Sequence, residues 1–229
     1  MCYPRLKATE MVAAEEKKVA ETELPKPSSG GFAKAFWRAG LPVIFLCVML
    51  QGILRDGVSE WMPSFIIETY NLGEASAVMS AAILPAFSIF CVFVTVRLYR
   101  RLPNEQLSSL VFWIVAAVSA VLLYFFHENH AVVAVITMAF LNGAMHGINH
   151  LLTARISPYF VKYHCVSTVT GLINAFTYVG SAVAAPLSAY LSEISWGAVI
   201  LLWLGVAALG CLATALHAKS YTRFISEHK

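Results

Sequence analysis

Residues 41–69 have the sequence LPVIFLCVMLQGILRDGVSEWMPSFIIET, and the fold class follows from this segment. It is a continuous apolar run, interrupted only near its middle by charged residues. About 20 such residues suffice to cross the roughly 30 Å hydrocarbon core of a bilayer as an α-helix. Strands that span membranes are shorter and alternate polar with apolar residues. The segment therefore predicts a transmembrane helix.

Five further apolar runs follow along the chain. The predicted spans are residues 41–69, 75–96, 107–126, 131–152, 166–191 and 197–216. Hydrophobic residues make up 59% of the chain and charged residues 13%, whereas soluble domains have about 45–50% and about 25%. The sequence thus predicts an all-α membrane protein with a bundle of six transmembrane helices in residues 41–216. Two polar tails, residues 1–40 and 217–229, flank this bundle.

The Lys and Arg residues lie almost entirely on one side of the predicted spans. Fifteen of the 16 are in the two tails and in the loops after the second and fourth spans, and the opposite loops contain none. Short cytoplasmic loops are enriched in these residues. We therefore expect an integral protein of the plasma (inner) membrane with both termini in the cytoplasm. The net charge of only +3, with no basic face, argues against a nucleic-acid partner.

The sequence has no signature of an enzyme. The five Cys residues have neither disulfide nor metal-ligand spacing. No phosphate-binding loop, zinc-hydrolase motif or serine-hydrolase motif occurs. We expect no catalytic residue, no cofactor and no metal, and the expected partners are the lipid bilayer and a small anionic solute.

Arg55 is the sixteenth cation and lies 14 residues from either end of the first predicted span. A charge near the bilayer midplane costs about 3 kcal/mol and should face a cavity or the bundle interior. Gln51 and Ser59 share its helix face, while Asp56 and Glu60 lie on the neighbouring face. Two interpretations stay open. Arg55 forms a structural ion pair with a carboxylate, or its planar guanidinium binds an anionic substrate.

Two more spans have polar residues at helical spacing. Asn142, His146 and His150 lie on one face of the fourth span, and Asn174 and Tyr178 lie four residues apart in the fifth. With Gln51, Arg55 and Ser59 they form the candidate substrate-binding set. Hydrogen bonds that only stabilise helix contacts are the competing interpretation. The candidate proton-carrying or ion-pairing groups are Asp56, Glu60 and His146.

Prolines lie inside three of the predicted spans. Pro63, Pro85 and Pro186 predict helix kinks, because proline lacks a backbone N–H and its ring clashes with the carbonyl four residues earlier. We expect the first span to be kinked or partly unwound near Pro63. Interrupted helices with polar groups at the midplane are typical of secondary transporters.

Two segments resemble a known transporter family. Residues 53–65, ILRDGVSEWMPSF, are similar to the seventh helix of the organophosphate:phosphate antiporters of the major facilitator superfamily, the glycerol-3-phosphate and hexose-phosphate transporter type. The family pattern there is L-R-Y-G-x-x-[DE]-W-x-P-[ST]-[FY]. Residues 170–181, TGLINAFTYVGS, resemble the family's eleventh helix. The resemblance covers about residues 35–225 and implies the C-terminal half of a twelve-helix carrier.

The resemblance also implies a function. Arg55 matches the arginine with which the C-terminal half binds phosphate, so Arg55 is expected to clamp a small phosphorylated or carboxylated metabolite during alternating access. An N-terminal six-helix half, or another half-transporter, is the implied partner. Asp56 stands where the family has Tyr, and its carboxylate competes with an anion for Arg55. Two alternatives remain, which are a non-transporting fragment, sensor or assembly subunit, and a proton-coupled carrier of a neutral or cationic solute.

Overall fold

The computed structural model describes residues 35–102 and 104–226, so most of the predicted N-terminal tail lies outside the described residues. The helices are α1 (Leu41–Tyr70), α2 (Glu74–Ala81), α3 (Ile83–Arg101), α4 (Glu105–Phe126), α5 (Ala131–Ile156), α6 (Val166–Ser192) and α7 (Trp196–Ser226). A 3₁₀ segment, Ser157–Tyr163, continues α5. No strand occurs in these ranges, and six helical segments are long and apolar enough to cross a membrane, with α2 and α3 together forming the second. The predicted all-α membrane fold is confirmed.

Successive spans run in opposite directions, and contacts at the two ends of the bundle show this. At one end Asn104, before α4, donates to the Thr222 hydroxyl of α7 at 2.9 Å. At the other end the Trp196 indole, at the start of α7, donates to Glu68 of α1 at 3.0 Å. Apart from Arg55, the described basic residues all belong to segments at the first end, namely Arg38, Arg97, Arg100, Arg101, Arg155, Lys162, Lys219 and Arg223.

The first and fourth spans form the centre of the bundle. The apolar windows of α1 and of the α5 span are 67% and 61% buried, whereas no other span exceeds 39%. α1 packs against α5, α6 and α7, while α4 packs against α5 and α7. The polar residues of α1 and α5 are therefore held by helices on several sides.

α1 and α6 touch backbone to backbone. A Cβ atom on Gly52 would lie 2.2 Å from the carbonyl oxygen of Thr177, and one on Gly180 would lie 2.0 Å from that of Met49. Small residues allow such close crossing inside membranes, where packing rather than the hydrophobic effect joins helices. This contact brings the next turn of α6 alongside Arg55.

The prolines have less effect on helix continuity than we expected. α1 is continuous through Pro63 and α6 through Pro186, so the expected unwinding of the first span is wrong. Buried α1 is supported by neighbours on several sides, which favours an unbroken helix. The second span is interrupted at Ala82, because Pro85 lacks the N–H that would bond the carbonyl of Ala81. Bends at Pro63 and Pro186 stay predictions.

The bundle extends beyond both predicted limits. α7 continues from the predicted end at Leu216 to Ser226. The added turns are held because Tyr221 and Ile225 are buried among the other helices. At the other limit, residues 35–38 are helical, and Ala35 and Ala39 are buried. The described parts of both predicted tails therefore pack as continuations of the bundle.

Candidate functional site

The guanidinium of Arg55 is held by the neighbouring carboxylate of Asp56. Arg55 Nε lies 2.6 Å from Asp56 Oδ1, and Arg55 Nη2 lies 2.9 Å from Asp56 Oδ2. The two side chains are 17% and 23% exposed. Arg55 Nη2 also lies 3.4 Å from the Ser181 hydroxyl of α6. The pair is bidentate and largely buried, and its formal charges cancel.

Glu60, the other candidate partner on α1, takes no part in this pair. Its side chain is exposed, and it forms no ion pair within the described residues. Of the two candidate carboxylates on α1, Asp56 is therefore the one that pairs with Arg55.

A hydrogen-bond chain joins three spans next to the ion pair. Ser59 Oγ lies 2.8 Å from the backbone carbonyl of Arg55 and 3.1 Å from Asn142 Oδ1, and its single proton serves one of these acceptors. Asn142 Nδ2 donates to Ser88 Oγ at 3.4 Å. The Ser88 hydroxyl donates to the carbonyl of Leu84 at 2.8 Å. Neutral polar groups thus tie α1, α3 and α5 together, and both hydroxyl protons are used inside the protein.

A cavity of about 500 Å³ opens between α1, the α2–α3 span and α5. Small-molecule sites usually have about 300–1,000 Å³. We call one side of it the polar edge, formed by Ser59, Ser88, Asn142 and His146. The rest of the lining is the apolar wall, formed by Ala81, Leu84, Pro85, Ile89 and Val92.

His146 connects the cavity to the ion pair. It lines the cavity, and it lies close enough to Arg55 and Asp56 for their charges to act on its imidazole. The ring is half-buried. It makes no hydrogen bond that the described part of the chain supplies, so both ring nitrogens are open to a ligand. Imidazole can both donate and accept a proton.

The remaining predicted site residues are placed less favourably. Gln51 is fully buried, and its amide has no hydrogen-bond partner among the described residues. His150 lies one turn beyond His146, within the influence of Arg155 at the end of the bundle. Neither residue lines the cavity, and neither is hydrogen-bonded to the ion pair or to the polar edge within the described residues. The ion pair does not line the cavity either, but His146 connects it to the cavity.

Two predicted residues of α6 lie on the bundle surface. Asn174 is exposed, and Tyr178 is 67% exposed although its phenol lies near Arg55. They flank the ion pair from a face that no other described helix covers. The structure thus brings together Arg55, Asp56, Ser59, Asn142 and His146.

Ser88 and Ser181 are not among the predicted site residues. Ser88 belongs to the polar edge, and Ser181 contacts Arg55. Single serines in membrane helices often only bond back to their own backbone, and Ser181 also does so, to the carbonyl of Thr177 at 3.1 Å. The available signal was that Ser88 lies three residues after Pro85 and Ser181 three residues after Tyr178. The sequence does not show which helices pack together, so this signal could not place either serine in the site.

The described residues contain no group of three His, Cys, Asp or Glu side chains that could hold a metal ion. Comparison of the chain with protein-family models finds no match, and comparison with curated proteins finds none either. The likeness to the organophosphate:phosphate antiporters therefore rests on the motifs of the first and fifth spans.

Proposed function

We propose that this chain is one half of a secondary transporter for a small organic anion and that Arg55 is the anion contact. The carrying observation is a guanidinium near the middle of the most buried span, still 17% exposed, beside a cavity of about 500 Å³. The motifs around Arg55 support a likeness to the C-terminal half of an organophosphate:phosphate antiporter.

The position of the ion pair supports a solvated pathway. Charged groups at mid-membrane depth are expensive in lipid and are found facing water-filled cavities or protein. Arg55 and Asp56 keep 17% and 23% of their side-chain surface accessible. In a lone bundle this surface would meet hydrocarbon, whereas in a carrier it meets the solute pathway.

The exposed polar face of α6 supports a second six-helix unit. Asn174 and Tyr178 lie on that face, and Asn174 has no hydrogen-bond partner in the part of the chain that the structure describes. An unbonded amide in hydrocarbon costs several kcal/mol. We therefore propose that an N-terminal half, or another half-transporter, covers this face and closes the pathway.

Alternating access then follows from rocking of the two halves around the fixed site. The anion would reach Arg55 from the cavity and take the place of the Asp56 carboxylate on the guanidinium fork. The segregation of Lys and Arg to one end of the bundle supports an orientation with both termini in the cytoplasm. The plasma (inner) membrane is the proposed location.

The test is anion binding by the purified full chain in lipid nanodiscs, by calorimetry with phosphorylated and carboxylated metabolites. Arg55→Ala should abolish binding, and Arg55→Lys should weaken it because an ammonium cannot bind bidentately. Arg101→Ala, which removes an exposed arginine at the bundle end, is the matched control and should change nothing. Unchanged binding in both Arg55 variants would contradict the proposal.

One observation favours a second candidate, a proton-coupled carrier of neutral solutes. Asp56 already neutralises Arg55 through two short contacts of 2.6 and 2.9 Å, and His146 lies nearby. In this mechanism Asp56 and His146 carry protons and Arg55 positions Asp56. If organic anions do not compete with the binding of a neutral solute, this candidate is favoured over the anion carrier.

A further inference from the structure

We propose that the substrate of this site is a monoanion with an apolar body, such as a short-chain or aromatic carboxylate, and that it is not a sugar phosphate. This inference rests on the proposed function, since it assumes that an anionic head reaches Arg55. It narrows the substrate class beyond the resemblance, whose members carry phosphorylated metabolites.

The site has no net charge. Arg55 and Asp56 lie beside His146, do not themselves line the cavity, and sum to zero. None of the residues that line the cavity is charged, and His146 is the titratable one among them. All other described Lys and Arg belong to one end of the bundle. A phosphate monoester carries about −1.5 to −2 at neutral pH, so this chain offers it one cation that is already paired. A carboxylate needs only that one.

Hydrogen-bond donors are few at this site. The protons of Ser59 and Ser88 are used by acceptors within the protein, and Asn142 uses one of its two amide N–H groups on Ser88. His146 and the second N–H of Asn142 remain as donors. A sugar brings several hydroxyl groups, and each one left unpaired on burial costs binding free energy. The polar edge of this half supplies too few donors for such a ligand.

The apolar wall selects for an apolar ligand. Ile89 is 62% exposed and Pro85 is also exposed, while Leu84 and Val92 complete the apolar part of the cavity lining. Covering this surface is favourable only for a ligand whose own body is apolar. Polyhydroxylated ligands would lose water on this side and gain no partner.

The positions of these groups fit one ligand pose. Ser59 is one helical turn from Arg55 on the same face of α1, which is a separation of about 5–6 Å between Cβ atoms. Arg55 does not itself line the cavity, so a ligand whose carboxylate is on Arg55 needs a body of a few carbon atoms that passes Ser59 and His146 to reach the apolar wall. The head takes the place of the Asp56 carboxylate, and the tail covers Ile89.

The test uses three ligands with the same six-carbon chain on the full chain in nanodiscs, with empty nanodiscs as the blank. Hexanoate has charge and an apolar body, gluconate has the same charge with a hydroxylated body, and hexanamide has the apolar body without charge. We expect hexanoate to bind at least about tenfold more tightly than either of the others. Gluconate binding as tightly as hexanoate would overturn this inference and leave Arg55 as an anion contact.

The other outcomes separate the inference from the proposed function. Hexanamide binding as tightly as hexanoate would overturn the anion contact. Failure of hexanoate and gluconate alike to bind would overturn this inference, and the proposed function would fail as well only if phosphorylated metabolites did not bind either.

A pair of variants tests the wall directly. Ile89→Ser should weaken hexanoate binding by about fivefold, because it removes apolar surface from the wall, and it should not weaken gluconate binding. Phe93→Ser is the control, since Phe93 lies on the same helix, is 72% exposed and does not line the cavity. Equal effects of the two substitutions on hexanoate binding would overturn the assignment of the wall, and equal melting temperatures verify that both variants are folded.

Discussion

Arg55 and Asp56, consecutive residues of α1, form a bidentate pair with Nε–Oδ1 and Nη2–Oδ2 distances of 2.6 and 2.9 Å. This geometry is the one in which arginine recognises a free carboxylate. The chain therefore supplies its own competitor at the proposed anion contact. Anion binding must pay for separating this pair, and the pair in turn keeps an unliganded guanidinium neutralised inside the membrane.

Asp56→Asn should increase anion affinity. The substitution removes the competing charge but keeps the size of the side chain, so hexanoate should bind about tenfold more tightly, by calorimetry in nanodiscs. Glu60→Gln removes an exposed carboxylate one turn away and is the matched control, with no expected change. Weaker hexanoate binding to a folded Asp56→Asn protein would show that Asp56 helps to bind the ligand and does not compete with it.

Gly52→Ala should destabilise the bundle. Its Cβ would lie 2.2 Å from the Thr177 carbonyl oxygen, so α1 and α6 must move apart, at a cost of about 2–4 kcal/mol in the free energy of unfolding. Gly171→Ala is the control on α6, because a Cβ there meets nothing within 4 Å. Thermal unfolding in detergent measures both, and equal melting temperatures for the two variants would contradict the close crossing.

Tyr99→Phe should destabilise the protein at the end of the bundle where the basic residues lie. The carboxyl group of Glu105, 1% exposed, accepts hydrogen bonds from Tyr99 at 2.7 Å and Tyr159 at 3.1 Å. Losing a bond to a buried acidic group should lower the free energy of unfolding by about 2 kcal/mol. Tyr190→Phe, at a 65% exposed position, should be neutral. Equal melting temperatures for these two variants would argue against a stabilising hydrogen bond between Tyr99 and Glu105.

Labelling of single cysteines should report the orientation. In a variant without native cysteines, a membrane-impermeant maleimide should label Glu128→Cys in intact cells. It should label Arg101→Cys only after permeabilisation, because the basic end is proposed to face the cytoplasm. Arg101 ends α3, shortly before α4 begins, and Glu128 follows the end of α4. The two positions therefore lie at opposite ends of α4. The reverse pattern of labelling would invert the proposed orientation.

The fold class was predictable because each span is a long apolar run whose backbone must bond internally in lipid. Span number and order follow from such runs and the loops between them. The ends of the bundle could not be predicted, since the last turns of α7 are stabilised by the burial of Tyr221 and Ile225, which is a tertiary effect. The break at Ala82 was predictable from Pro85, whereas the continuity of α1 through Pro63 depends on its central position.

The candidate site was predictable only within single helices. Spacing placed Ser59 on the face of Arg55 and placed Asn142 with His146, and the structure joins these two sets. The spacing could not show whether Asp56 or Glu60 pairs with Arg55, because the neighbouring helices determine which carboxylate is buried. The apolar wall was not predicted, since Leu84, Ile89 and Val92 resemble any lipid-facing residues until α5 and α1 are placed opposite them.

The central claim, that Arg55 contacts the charge of the substrate, is tested most directly by comparing hexanoate and hexanamide binding in wild-type protein and Arg55→Ala. Calorimetry on the full chain in nanodiscs gives both affinities. The proposed contact predicts that Arg55→Ala weakens hexanoate binding by tenfold or more and leaves hexanamide binding within about twofold of wild type. A hexanoate affinity that does not change in a folded Arg55→Ala protein would contradict it.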